Sequence, residues 1–569
     1  MNHSMKPTSL LYGLEDRPPL LINAFLGLQH FSIIAISFVL PILLIHEGGG
    51  TTDQAAFVIS MSMLAGGIGV IVQSLRKGPV GSGYLCPQLC GPSYLAASFL
   101  CMKTGGLPLV FGMTAFAGVI EALFSRAIHK LRVLFPTEVT GLIVAMVGIT
   151  VVKMSGQNFL DLDPSGAING QGAMIGGITL AIMVGLNVWT QGKVKLFCAL
   201  IGMVAGYTAA MLFGALTVQE ISHAMSRPVI WFPFSIHPGW AFDVNMVLPI
   251  IIAMVCSSLK SVGDITTCQK INDTQWKRPD MDNIQKGILA DAVGCFSAGV
   301  FGGFGQSTSS TNIGLTIATG ATSRAIAWST GIVLIMLAFC PKITGIFAIM
   351  PRPVVGATLV FALGFMIVAG IQIIMSRMLD GRKTFIIGLS IICGLTVDLL
   401  PQAFADLHPI LRAIFSSSLS AATISALVLN LIFRIGIKAK ASLKLESDTH
   451  YHQAIATFME KQGGAWAARP EVIKKATAAT IEYVEALGYL ETVSSVTDIE
   501  ASFDEYNLDI CITHLGNAPG LPETAPSMGE IVESDGARQL AGFLVRSWAD
   551  KVVTKCVGEE TQTRLHFKH

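Results

Sequence analysis

Residues 309–320 read SSTNIGLTIATG, between two long apolar windows. Ser309, Ser310, Thr311 and Thr316 carry hydroxyls, Asn312 an amide, and Gly314 no side chain at all. Hydrocarbon offers such groups no hydrogen-bond partner, so a lipid-facing helix does not collect them. Non-helical backbone at membrane depth is tolerated only where it is buried in protein or lines a cavity. The run therefore predicts an irregular, ligand-facing segment inside a membrane protein.

The rest of the chain agrees with that setting. It has 569 residues, is 52% hydrophobic and only 13% charged, which is the composition of a polytopic membrane protein. The net charge of +1 excludes nucleic acid as a partner. The 11 cysteines are scattered, and those inside apolar runs (Cys198, Cys256, Cys295, Cys340, Cys393) read as small buried residues. No metal site and no cofactor are expected.

Apolar windows between residues 20 and 436 give about fourteen crossings on the ~20-residue rule. The windows 84–102, 287–302 and 307–320 are the weak ones, short or interrupted by Gly, Pro and Ser. With a cytoplasmic N-terminus, about fifteen basic residues fall in inside loops and about six in outside loops, a positive-inside bias. An even span count returns the C-terminus to the cytoplasm, and the expected location is the cell inner (plasma) membrane. After Lys444 the composition turns polar, with alternating stretches such as LDICITHL. The expected organisation is a cytoplasmic N-terminus (1–19), a membrane domain (20–437), a basic linker (438–446) and a soluble cytoplasmic α/β domain (447–569).

Two spans open alike. FPTEVTGLIVAMVG from Phe135 and MPRPVVGATLVFALG from Met350 each give an apolar residue, Pro, two residues, Val, one residue and Gly. About seven spans lie between the prolines on the same length rule, and an odd number inverts the second copy. Inverted repeats with broken helices are the architecture of secondary transporters. The polar run precedes Pro351 much as CGPSYLAASF (Cys90–Phe99) precedes Pro136, so these two segments are expected to be repeat-mates.

At this point the chain resembles the nucleobase–ascorbate transporter family, the nucleobase:cation symporter-2 or uracil/xanthine permease type. The family signature, Asn, one residue, Gly, four residues, Thr, is matched by Asn312, Gly314 and Thr319. GLQH with Gln29 and His30 resembles the first span, KSVGDI from Lys260 the eighth, ADAVG with Asp291 the ninth, and MPRPVVGA the twelfth. The resemblance implies fourteen segments in two inverted sevens, with a core domain of spans 1–4 and 8–11 and a gate domain of spans 5–7 and 12–14. It implies short paired strands in segments 3 and 10, and a homodimer. Tyr94 would stack on the base with Ser93 beside it, Ser310 and Thr311 would bond the ring through their backbone, and Asn312 would hold the site together. Gln29, His30, Asp264, Asp291, Gly314 and Thr319 would serve coupling or site architecture. The implied partners are a small-molecule nucleobase or related anion, a coupling proton or sodium ion, and the lipid bilayer.

Two pocket positions depart from the family pattern. Lys260 stands where a Glu usually accepts from a ring N–H, and Thr311 stands where Gln, Glu or Pro usually precedes the Asn. A charged lysine donates and cannot accept. At the centre of a span it needs a partner, because an isolated one costs about 2.5–3.5 kcal/mol. Asp264, one turn on, and Asp291 are the candidates. Lys260 then either meets an anionic or carbonyl-rich substrate or is held in a buried pair. Glu121 is a further intramembrane carboxylate, and Glu138 reads as a helix-start carboxylate.

Residues 447–569 resemble, by element order, the ATP-binding fold of histidine kinases and anti-sigma factors. The metal-holding Asn would fall at Ala486, four after Glu482, and the adenine-reading Asp near His514, Leu515 and Gly516. A degenerate regulatory or dimer-forming domain is expected. The readings in competition are a cation-coupled nucleobase carrier, an anion carrier using Lys260, and a membrane sensor signalling through this domain. No enzyme is expected.

Overall fold

The computed structural model describes residue 7 and residues 10–131, 136–163, 165–190, 193–232, 236–274, 276, 279–375, 379–404, 411, 414–415, 417–433, 439–445, 451–466, 468–488, 497–504, 507–526, 536–557 and 560–568. The chain forms two compact units, Met1–Ser376 with Phe385–Val428, and Arg377–Thr384 with Leu429–His569.

Helices dominate the first unit. Among the described residues eight are long and apolar enough to cross a membrane, or nine when the bent pair Arg324–Ala338 and Pro341–Ala348 is one span. The fourteen expected crossings are not reached by this measure, because several apolar helices are short: Cys198–Leu212, Ser310–Thr319 and Ser418–Phe433. The apolar stretch 323–346 turns by 82° between Arg324–Ala338 and Pro341–Ala348. Pro341 opens the second helix there, where its missing N–H costs no bond. Leu95–Leu131 is two helices that meet at Gly106, whose φ of 66° is not helical, so the apolar stretch 106–128 begins a helix of its own there. The weak window 287–302 lies in a regular helix, Met281–Phe301.

At the centre, two three-residue strands pair antiparallel: β1, Gln88–Cys90, and β2, Gln306–Thr308. Each is followed at once by a helical start, at Pro92 and at Ser310. The polar run quoted at the outset is thus not irregular backbone itself. Ser310–Thr319 is helix, with Ser309 as N-cap and Gly320 closing it at φ 62°, where glycine is unstrained. The irregular part comes just before it. Its mate is likewise displaced, the strand ending where Cys90–Phe99 begins.

The two Pro-opened helices are Thr137–Phe159, after Pro136, and Arg352–Ile374, after Pro351. They pack antiparallel through glycines. A Cβ on Gly141 would lie 2.7 Å from the nitrogen of Ile374, and one on Gly356 would collide with Phe159. In a bilayer, close packing of small residues replaces the hydrophobic drive as the glue between helices.

In the second unit, β3 (Ala439–Leu445), β4 (Thr497–Phe503), β5 (Asn507–Leu515), β6 (Lys551–Val557) and β7 (Glu560–Lys568) make one antiparallel sheet, ordered β3-β4-β5-β7-β6. Leu508, Ile510 and Ile512 alternate inward along β5, as do Thr563, Leu565 and Phe567 along β7. They pack with Ile455 and Met459 of helix Tyr451–Ala465 and with Tyr483 and Leu487 of helix Pro470–Gly488. The segment expected as a linker, 438–446, is a correction: Ala439–Leu445 is an edge strand of this sheet. Its lysines, Lys440 and Lys444, are of the type that keeps sheet edges from pairing with other chains. Ala486, where the ATP-binding fold would place its metal-holding Asn, is fully buried.

Candidate functional site

The strand pair is held from both sides by amides. Gln88 Nε2 donates to the carbonyl of Ala290 at 3.1 Å, and Gln306 Nε2 to that of Phe304 at 2.8 Å. Gly69 and Gly294 leave room for Gln88; a Cβ on either would collide with its Oε1. These two glutamines open the two strands at matching positions, and the sequence reading missed both.

The strands deliver two helix starts to one place. Ser309 Oγ accepts from the amide of Asn312 at 3.3 Å, so the amides of Ser310 and Thr311 have no partner within their helix and carry the positive end of its dipole. Thr311 and Gly314 are exposed, on the open side of this helix. Asn312 faces the other way. Its Nδ2 donates to Ser309 Oγ at 2.9 Å, so Oδ1 accepts from His30 Nδ1 at 2.8 Å. The two bonds tie the first span to the start of the Ser310 helix. Gln29 and His30 are both buried, and Thr319 bonds back to the carbonyl of Leu315 at 2.9 Å.

In the first repeat, Ser93 and Tyr94 occupy the places of Thr311 and Asn312. Tyr94 is fully buried, its ring laid on the strand so closely that a Cβ on Gly305 would fall 2.6 Å from it. Ser93 Oγ and Tyr94 Oη have no hydrogen-bond partner among the described residues. Ser93 borders a narrow cavity of about 10 Å³ with Ala97, Pro249, Ala253, Ser417 and Ser420.

The charges gather around helix Val247–Asn272, which carries Lys260 and Asp264. Lys260 Nζ donates to the carbonyl of Thr308, the last residue of β2, and lies 3.8 Å from Asp264 Oδ2. Thr308 Oγ1 donates to the same carboxylate at 2.6 Å. Ser261 Oγ lies 3.0 Å from Thr308 Oγ1 and donates to Asp291 Oδ2 at 2.5 Å. Ser258 donates to Glu121 Oε1 at 2.6 Å. Lys260 and Asp264 are 5% and 7% exposed, and Asp291 and Glu121 fully buried. Of the two partners proposed for Lys260, Asp264 is therefore the one it meets directly. Ser258, Ser261 and Thr308 were not singled out from the sequence. Only Ser261 carried a signal, since it stands three residues before Asp264 on one helical face.

Two inverted, interrupted segments meeting at such a cluster define a membrane transporter rather than an enzyme. Residues 22–403 match the model of the permease family of xanthine/uracil type, and the chain belongs to that family. The xanthine permease XanP of Escherichia coli is 29% identical over 75% of this chain and 95% of its own length. The uric acid permease PucJ of Bacillus subtilis is 26% identical over 72% of this chain and 92% of its own. The murine solute carrier 26 family member A9, an anion transporter solved in its inward-facing state, shares the fold with a TM-score of 0.52 at 11% identity, over 76% of this chain and 72% of that one. The protein is a multi-pass membrane transporter.

Proposed function

We propose that the protein is a secondary transporter carrying a nucleobase of the xanthine, urate or uracil class across the inner membrane, with both termini cytoplasmic. The observation that carries the reading is the meeting of two opposed helix starts, at Ser93 and at Ser310–Thr311, across the β1–β2 pair. Free amides at a helix start suit the carbonyl oxygens or negative charge of an oxidised purine. The likeness to the xanthine permease XanP and the uric acid permease PucJ supports the substrate class.

In this reading Ser93, Tyr94, Lys260, Ser310, Thr311 and Asn312 bind substrate. Gln29, His30, Asp264, Asp291, Gly314 and Thr319 serve architecture or coupling. The core carrying the site moves against the gate formed by the two Pro-opened helices and their neighbours, and a homodimer forms through the gate. A coupling cation, proton or sodium, would be taken at Asp264 or Asp291; at Asp264 the Lys260 ammonium already holds that place. Lys260 also favours a second reading, in which the base or another small solute travels as an anion.

Binding and exchange test this. The purified protein should melt higher with xanthine, urate or uracil, since a ligand of the folded state stabilises it. Reconstituted in liposomes, it should exchange external labelled base for internal unlabelled base. Stabilisation by small organic anions alone would sink the nucleobase reading and leave the second.

A further inference from the structure

We propose that Lys260 is a tethered counter-cation: its ammonium fills a seat for a monovalent cation built from the Thr308 carbonyl, the Thr308 hydroxyl and the Asp264 carboxylate, so that this carrier draws no coupling ion from solution there. The transport arm of the proposal rests on the carrier reading above. The seat itself does not.

The donor set is that of a hard cation. A backbone carbonyl, a hydroxyl and a carboxylate are oxygen ligands, and carbonyls freed where helices are broken hold the coupling ions of many transporters. The Thr308 carbonyl belongs to such a break, at the end of β2. Lys260 Nζ donates to it, and Asp264 Oδ2 stands 3.8 Å from the same nitrogen. Thr308 Oγ1 donates to that carboxylate at 2.6 Å, closing the ring of oxygens.

The charge count points the same way. Among the described residues Lys260 is the one lysine or arginine that is buried, in a cluster with the carboxylates Asp264, Asp291 and Glu121. Asp291 reaches the seat through Ser261, and Glu121 is bonded by Ser258. A diffusible cation would have to displace an ammonium that cannot leave, because it is fixed to its own helix. A seat holding a permanent ion does not report an outside gradient. Any coupling ion is then left to Asp291.

Removing the tether should unmask the seat. Lys260→Ala leaves the oxygens and vacates the space; Lys260→Met removes the charge but keeps the space filled. The first readout needs no substrate. Melting of the detergent-purified protein is followed in choline, sodium, potassium and methylammonium chloride. The wild type should be indifferent to the cation. Lys260→Ala should melt lower in choline and recover most of the loss in sodium or methylammonium, while Lys260→Met should not recover. Cation-dependent melting of the wild type, indifference of Lys260→Ala to every cation, or equal recovery by Lys260→Met would each overturn the proposal.

The transport arm follows labelled xanthine exchange in liposomes. Wild-type exchange should keep its rate when choline replaces sodium and potassium at equal pH. Lys260→Ala exchange should be lost in choline and return with sodium or methylammonium. Wild-type exchange that requires sodium or potassium overturns the proposal. A wild type that exchanges no base sinks the carrier reading instead, and the melting arm still decides the seat.

Discussion

Gly141 stands against the backbone of Ile374 so closely that a Cβ would lie 2.7 Å from the Ile374 nitrogen. The relation recurs with the helices exchanged, Gly356 against Phe159. Each glycine lies five residues after the proline that caps its helix, and each meets the last turn of the other. This is the contact a two-fold axis between inverted copies produces. Gly356→Ala must push two backbones apart and should cost upwards of about 3 kcal/mol. Gly364, on the same helix, has nothing within 4 Å of a Cβ, and its Ala variant should be neutral within about 0.5 kcal/mol. Denaturation of the two variants side by side checks this; equal stability would remove the packing argument.

Asn312 holds His30 and Ser309 together, and its loss should be felt at both. Asn312→Ala leaves His30 Nδ1 buried without its acceptor, a penalty of about 1–3 kcal/mol. Base affinity should fall at least about tenfold if this geometry is what holds the helix start in place. Asn312→Asp keeps an oxygen facing His30 and should retain more affinity than the alanine. Calorimetric titration with xanthine distinguishes them, and an aspartate no better than alanine would count against the His30 bond as the cause.

The Lys260–Asp264 pair predicts an asymmetry. Asp264→Asn removes the countercharge and leaves the ammonium buried, which should cost about 3–5 kcal/mol. Adding Lys260→Met removes the stranded charge, while the amide oxygen still accepts from Thr308. The double variant should recover most of the loss. A complete double-mutant cycle measures the coupling; additive losses would mean that the two charges do not act on each other.

The site was legible in the sequence where it offended its surroundings. Asn312, Gly314 and Lys260 are conspicuous because hydrocarbon has no use for them. The strands were not legible, since three residues, Gln306–Thr308, are too few to show a period of two. The helix beginning at Ser310 was mistaken for the break itself, because Ser309, Ser310 and Thr311 read as breakers when Ser309 is the cap and the others open the helix. Ser261 passed unnoticed because hydroxyls in apolar helices commonly bond to their own backbone, and Thr308 because its strand was not legible; the position of β2 shows Thr308 facing Asp264, while Ser261 bonds Asp291.

In the second unit, His514 Nδ1 donates to the carbonyl of Leu515, so Nε2 accepts from Tyr483 Oη at 3.1 Å. Burial holds this imidazole below its usual 6.5. The unfolded chain therefore takes up a proton near pH 6.5 that the folded unit resists. Stability should be level above about pH 6.5 and fall below it, by at most about 1.4 kcal/mol per pH unit, until the folded imidazole also protonates. His514→Gln should flatten the profile. Urea unfolding at a series of pH values, followed by the fluorescence of Trp466 and Trp548, reads the slope; an unchanged slope in the variant would exclude His514 as its source.

The strand at Ala439–Leu445 decides where the chain can be cut. It pairs with β4 from Ala439 opposite Phe503 to Leu445 opposite Thr497. Ending the chain at Glu446, where composition changes, removes β4 and leaves β3 with its hydrogen-bonding groups unpaired, a template for pairing between copies. Ending it at Phe433, the last residue of the preceding helix, removes the whole sheet and leaves no edge. The shorter protein should elute as one sharp species and the longer one as a broad aggregate, although it differs by only thirteen residues. Size-exclusion chromatography of the two truncations tests this. Two equally sharp profiles would mean that Ala439–Leu445 does not remain a sticky edge once β4 is gone.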